Sequence, residues 1–220
     1  MGDSVTFSAS GDVNDIGVTL SLELDGDAAD GTNQLDSQSI TFDLGDAGTL
    51  IFAGHGGSSA MSAVDDVMPT AYEEPWDVVT GADADIIGGH SGNNMFTYKY
   101  SHDSGVNLTL AYINAADAVT DVSYSDVGIS YTGVEGLTIG YAEGNVEQTA
   151  LTESDEHTLY ATYAMGAMTV GVQTSEKDVS GGSTSDTESQ GFGLSYQVND
   201  DLAVSIGSHE IEYNSGDDQE

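Results

Sequence analysis

Cysteine is absent from the chain, which removes a disulfide framework, a thiolate nucleophile and any Cys-ligated metal site. Basic side chains are almost absent: Lys and Arg number 2 against 38 Asp plus Glu, a formal net charge of -36. A field of that sign makes binding to nucleic acid or to anionic lipid head groups unfavourable. Nowhere do about 18 apolar residues follow one another, so there is neither a transmembrane helix nor the apolar middle of a secretory signal peptide. A β-barrel passes that test unseen. Its strands show lipid an apolar residue only at every second position, so a chain with mean hydropathy -0.20 can still span a bilayer. Nothing in the composition divides the 220 residues, and we read residues 1–220 as one all-β domain.

What is present is a period of two. Ile16, Val18, Leu20, Leu22 and Leu24 alternate with Gly17, Thr19, Ser21 and Glu23, a pattern no amphipathic helix produces. The alternation returns at Ile40–Leu44, Phe96–Tyr100, Val106–Tyr112, Val127–Tyr131 and Leu137–Tyr141, and again at Leu159–Tyr163, Met168–Val172, Phe192–Tyr196 and Leu202–Ile206. With the shorter Val5–Ala9 and Leu50–Ala53 segments this makes about twelve strands. The connections alternate in length. Short turns are expected at Gly11–Asn14, Gly45–Gly48, His102–Gly105, Gly133–Gly136, Met165–Ala167 and Asn199–Asp201. Between them lie long polar connections at Asp25–Asp36, Gly54–Asn93, Asn114–Asp121, Gly144–Asp155 and Glu176–Glu188. Short turns at one rim and long loops at the other describe an antiparallel up-and-down transmembrane barrel. The later hairpins recur at roughly thirty-residue intervals, as solenoid or propeller units do, but share no motif beyond strand, turn and strand.

Tyrosines add position to the pattern. Tyr100, Tyr131, Tyr163 and Tyr196 stand two or three residues before a short turn, each with the parity of its strand's apolar face. Tyr112 and Tyr141 occupy the far ends of their strands with the same parity. Two such rings fit the aromatic girdles of a membrane barrel, whereas strand propensity alone explains an enrichment and not a fixed place. The opposite face is mostly Ser, Thr, Gly and Ala, as at Ser130, Thr138, Gly140, Thr162 and Ser195. A soluble sandwich would show charge to water there.

The stretch Gly54–Asn93 breaks the alternation and holds both prolines, Pro69 and Pro75, and the single Trp76. Its apolar residues Met61, Val64, Val67, Met68, Tyr72, Trp76, Ile86 and Ile87 give it surface to pack, and we expect it to fold inward. Ile40–Gly54, reading ITFDLGDAGTLIFAG, is a strand, glycine-rich turn and strand that run straight into this acidic loop. In that arrangement the sequence resembles the general porins of Gram-negative bacteria, of alphaproteobacterial type. The resemblance implies a barrel of sixteen strands, of which about twelve are present, with one strand lying before Val5 and about three after Ile211. It also implies a third loop, here residues 54–93, that narrows the pore, and association as a homotrimer in contact with outer-membrane lipid. The chain departs from the family in ending Asp217-Asp218-Gln219-Glu220 without a terminal aromatic residue, in having no signal peptide before Met1, and in lacking the basic cluster that commonly faces the acidic loop. On these grounds it is expected to be a fragment.

A pore needs no catalytic group and no cofactor; it needs a constriction whose charges and width select solutes. Asp65, Asp66, Glu73, Glu74, Asp77, Asp83 and Asp85 lie in the expected constriction loop and would enrich cations, giving passive diffusion of ions and small polar solutes with cation selectivity. Lys99, opposite in parity to Tyr98 and Tyr100, would point into the lumen and face them, while Lys177 falls in an expected polar loop and is read as solvated. His55, His90, His102, His157 and His209 lack metal-site spacing. The pairs Asp65–Asp66 and Glu73–Glu74 could hold Ca²⁺, although the regular spacing of a calcium loop is missing. No Gly-x-Ser-x-Gly element supports hydrolase chemistry, and the chain reads as no enzyme. The rivals are a soluble secreted acidic β-protein, such as an adhesin or surface-layer module, and an outer-membrane barrel enzyme with Ser, His and Asp clustered at one rim.

Overall fold

A computed structural model describes residues 4–25, 35–64, 67–71, 91–92, 94–114, 122–148, 152–180 and 186–213. Twelve strands form one sheet: β1 (Ser4–Val13), β2 (Ile16–Asp25), β3 (Leu35–Asp43), β4 (Thr49–His55), β7 (Met95–Ser101), β8 (Val106–Ile113), β9 (Val122–Val134), β10 (Leu137–Gln148), β11 (Thr152–Met165), β12 (Met168–Ser180), β13 (Thr187–Asn199) and β14 (Leu202–Tyr213). The short β5 (Gly57–Ser58) and β6 (Ser91–Gly92) pair with each other inside the connection from β4 to β7. Each long strand pairs antiparallel with its neighbour in chain order, and the sheet is open, with β1 and β14 at its edges. The helical turns among the described residues are Gly45–Ala47 and Met61–Ala63.

Local chemistry sets the hairpins. Asn14 and Asp15 sit at φ 51 and 65, the left-handed pair of a two-residue primed turn whose twist matches its strands, and they close Val13 against Ile16. The first turn therefore falls later than expected, since Gly11, Asp12 and Val13 belong to β1. At the β9–β10 turn Gly136 adopts φ 76, and a Cβ there would run into the Ala164 carbonyl oxygen of β11, so glycine is required twice over.

The apolar parity points outward. Phe7, Leu20, Phe96, Ile129, Leu159 and Ile206 are all exposed, Ile206 to 68%. A contiguous apolar face of this extent over many strands is what lipid covers and what a soluble module would bury. Hydrogen-bonded rows cross the strands, and in strands tilted to a barrel axis a row climbs from one rim toward the other. One such row passes Tyr100, Leu108, Ile129 and Tyr141. Tyr141 does not stand at the far end of its strand as expected, because β10 runs on for seven residues past it to Gln148.

Two expected loops are largely strand. β10 continues to Gln148 and β11 begins at Thr152, within the 144–155 connection; β12 continues to Ser180 and β13 begins at Thr187, within the 176–188 connection. The ladder there pairs Glu143 with His157, Asn145 with Asp155, His157 with Glu176 and Glu176 with Glu188. Above the apolar band the outward face meets water, so polar side chains replace apolar ones while the backbone pairing goes on.

Candidate functional site

On the face opposite the apolar one, residues 58–64 and 67–71 lie across the sheet. The segment leaves β4 through the β5–β6 pair and is tied at its start by Thr97 of β7, whose hydroxyl donates to the Ser58 carbonyl at 3.4 Å. Ser59 and Ser62 then bond reciprocally: the Ser59 N–H donates to Ser62 Oγ at 2.9 Å and the Ser62 N–H to Ser59 Oγ at 3.1 Å, which shapes the turn Met61–Ala63. The Met61 N–H donates to Asp126 Oδ2 of β9 at 2.8 Å, and Gln173 of β12 donates from Nε2 to the Val64 carbonyl at 2.8 Å. Met61 is 0% exposed and packs with Val64, Ala142, Tyr160 and Ile211. Because those wall residues come from β10, β11 and β14, the sheet curls round the segment.

Glycines on the wall make room for it. A Cβ on Gly128 would stand 2.9 Å from that of Ala60, and one on Gly144 would stand 3.0 Å from Met61 Cγ. On Gly171 it would meet Pro69 Cδ at 2.5 Å, and on Gly193 the Pro69 carbonyl oxygen at 2.8 Å. Gly171→Leu is accordingly expected to lift Pro69 off β12, at a cost of about 1–3 kcal/mol from overpacking. Denaturant unfolding in detergent, with protease sensitivity at 67–71, checks this; unchanged stability and cleavage would show that the hollow is loosely filled.

The wall beneath the segment carries charge. In one row across the strands stand Asp126, Gly144, Glu156, Lys177, Thr187 and Tyr213. Lys177 Nζ lies 2.7 Å from Glu156 Oε1, with side chains 31% and 5% exposed. Lys177 is thus no solvated loop lysine: it lies within β12, on the inner face, ion-paired to a buried carboxylate. Asp126, Glu156, Gln173 and Lys177 were missed as site residues. The signal that finds them is the parity of Ile129, Leu159 and Val172, counted on past the end of the apolar run.

The other site candidates divide. Lys99 is on β7, exposed on the inner face between Thr49 and Thr109. Asp65, Asp66, Glu73, Glu74, Asp77, Asp83 and Asp85 lie outside the described residues, and so does the suggested Ca²⁺ position; among the described residues no group of three or more His, Asp or Glu could hold a metal ion. Tyr112, Tyr131, Tyr163 and Tyr196 are exposed and Tyr100 and Tyr141 partly buried, all on the outward face. Of the loop's apolar residues, Met61, Val64, Val67 and Met68 lie against the wall, while Tyr72, Trp76, Ile86 and Ile87 are outside the described residues.

An open antiparallel sheet, apolar without, hydroxyl- and glycine-lined within and crossed inside by its own connection, is the frame of a membrane channel. Residues 1–220 match the Gram-negative porin family, and the chain belongs to it. The protein is a channel of the bacterial outer membrane. Its fold is shared by the anion-selective porin from Comamonas acidovorans, at 19% identity and TM-score 0.71 over 96% of this chain and 69% of that one. It is also shared by the trimer form of OmpT from Vibrio cholerae, at 14% identity and TM-score 0.73 over 99% of this chain and 72% of that one. Salmonella typhi OmpF, solved in complex with daunomycin, follows at 12% identity and TM-score 0.70 over 99% and 74%. At such identities the likeness is one of fold. No curated protein matches the sequence.

Proposed function

We propose that this porin passes ions and small polar solutes by passive diffusion with a preference for cations, that residues 54–93 are its constriction loop, and that it works as a homotrimer. The observation that carries the selectivity is the Lys177–Glu156 pair. The chain has only 2 basic residues, and one of them is neutralised by a buried wall carboxylate. The chain therefore has no basic cluster to set against Asp65, Asp66, Glu73, Glu74, Asp77, Asp83 and Asp85, and Lys99 is the lysine left for them. The Comamonas porin is anion-selective by its description; a net charge of -36 puts this chain on the other side. A trimer follows the assembly of the Vibrio relative. Tyr100, Tyr112, Tyr131, Tyr163 and Tyr196, directed outward near the strand ends, and Tyr141, directed outward within β10, serve as interfacial anchors.

The zero-current potential across a planar bilayer under a KCl gradient tests the selectivity. The dilute side should become positive, and the potential should shrink as salt rises from about 0.1 M to 1 M, since the screening length falls from about 10 Å to 3 Å. Neutralising Asp65, Asp66, Glu73 and Glu74 together should shrink it further. A dilute side that turns negative rules out cation preference.

A further inference from the structure

We propose that Asp126 is the positioning residue that pins the connection to the barrel wall and thereby holds the width of the channel. The proposal rests on the reading of residues 54–93 as the constriction. Met61 and Asp126 are 65 residues apart in sequence, and their bond ties the helical turn of the segment to β9. The Met61 N–H opens that turn and has no partner within it, so it needs an acceptor from elsewhere. Asp126 Oδ2 supplies one and also accepts the Tyr124 hydroxyl at 3.0 Å. The site is enclosed: Asp126 is 7% exposed, and Ser59, Ala60, Met61 and Tyr124 are buried round it.

The wall is shaped to the same end. Gly128, the next inward residue of β9, leaves the space that Ala60 fills, and Gly144 beside Asp126 leaves the space for Met61 and the Tyr124 hydroxyl. An apolar residue at 126 would fill such a pocket without the desolvation a carboxylate brings; what it could not do is accept the Met61 N–H. The ties on either side, from Thr97 and Gln173, are neutral. The bond to Asp126 is charge-assisted and so the strongest of the three.

The experiment uses the full-length protein in detergent micelles and in bilayers, with Asp126→Ala and Asp126→Asn compared with the wild type. Amide hydrogen exchange at 59–64 reads the pin directly. In Asp126→Ala it should accelerate about ten- to a hundredfold, the factor that a hydrogen bond to a charged acceptor corresponds to, while exchange in β12 and β13 stays as in the wild type. Asp126→Asn keeps a neutral acceptor of the same shape and should fall between the two, which also provides a reading if the alanine variant does not fold. Single-channel current should change from one steady level to a noisy, broadened one in Asp126→Ala and recover in Asp126→Asn. Wild-type exchange in both variants overturns the proposal. Accelerated exchange in a protein that carries no current overturns the channel reading and leaves the pin in place.

Discussion

Ile129→Lys should lower the unfolding free energy of the protein folded in lipid vesicles by about 2–4 kcal/mol, the cost of a lysine on the lipid face near the middle of a membrane barrel. Ile129 is exposed on the outward face, in the row that joins Tyr100 to Tyr141. The adjoining Ser130 points the other way, toward the lumen, beside Asn107. Ser130→Lys therefore places the same charge one residue along the same strand in water and should cost less than about 0.5 kcal/mol, the range of ordinary surface changes. Urea titration of both variants in lipid vesicles measures the contrast. Equal effects at the two sites would mean that lipid does not cover the apolar face, and the channel assignment would lose its physical basis.

Lys177→Met should be as damaging. It leaves Glu156, 5% exposed, without the ammonium at 2.7 Å, and removing one partner of a buried pair typically costs about 3 kcal/mol or more because a charge stays buried and uncompensated. The double variant Glu156→Gln, Lys177→Met should regain most of that loss, and the difference gives the coupling between the two groups. The two variants also separate stability from permeation. Lys177→Met removes a positive charge from the wall and should strengthen the cation preference, whereas the double variant keeps the wall's net charge and should conduct as the wild type does. Additive destabilisation in the cycle would contradict the pairing.

These two positions show where reading the chain alone succeeds and where it stops. Ile129 is legible as outward-facing because alternation is a property of five or six consecutive residues: in a strand the faces are fixed by parity, and Val127, Ile129 and Tyr131 declare theirs. Lys177 is not legible in that way. It stands five residues beyond Val172, where polar side chains on both faces erase the alternation and the strand resembles a loop. Its parity could have been counted on from Val172, but its partner could not. That Glu156 lies opposite it depends on the register of β11 against β12, which is set by the turn at Gly166–Ala167 and maintained over the whole ladder.

The sequence by itself determined the number and order of the twelve long strands, the outward direction of the apolar side chains, the rim at which the turns are short, and the acidity of the long connection. All of these follow from local rules, namely side-chain alternation, turn chemistry and formal charge. Only the tertiary structure decided how far β9 to β14 rise above the apolar band, that Lys177 neutralises Glu156, and that Asp126, Gln173 and the hollows at Gly128, Gly144, Gly171 and Gly193 receive residues 60–64 and Pro69. Those contacts join positions from different strands and loops, and Gln173 reaches Val64 across 109 residues. Which of the many Ser, Gly and Asp residues on the inner face meets the crossing segment depends on the curl of the whole sheet, and no short stretch of sequence encodes that.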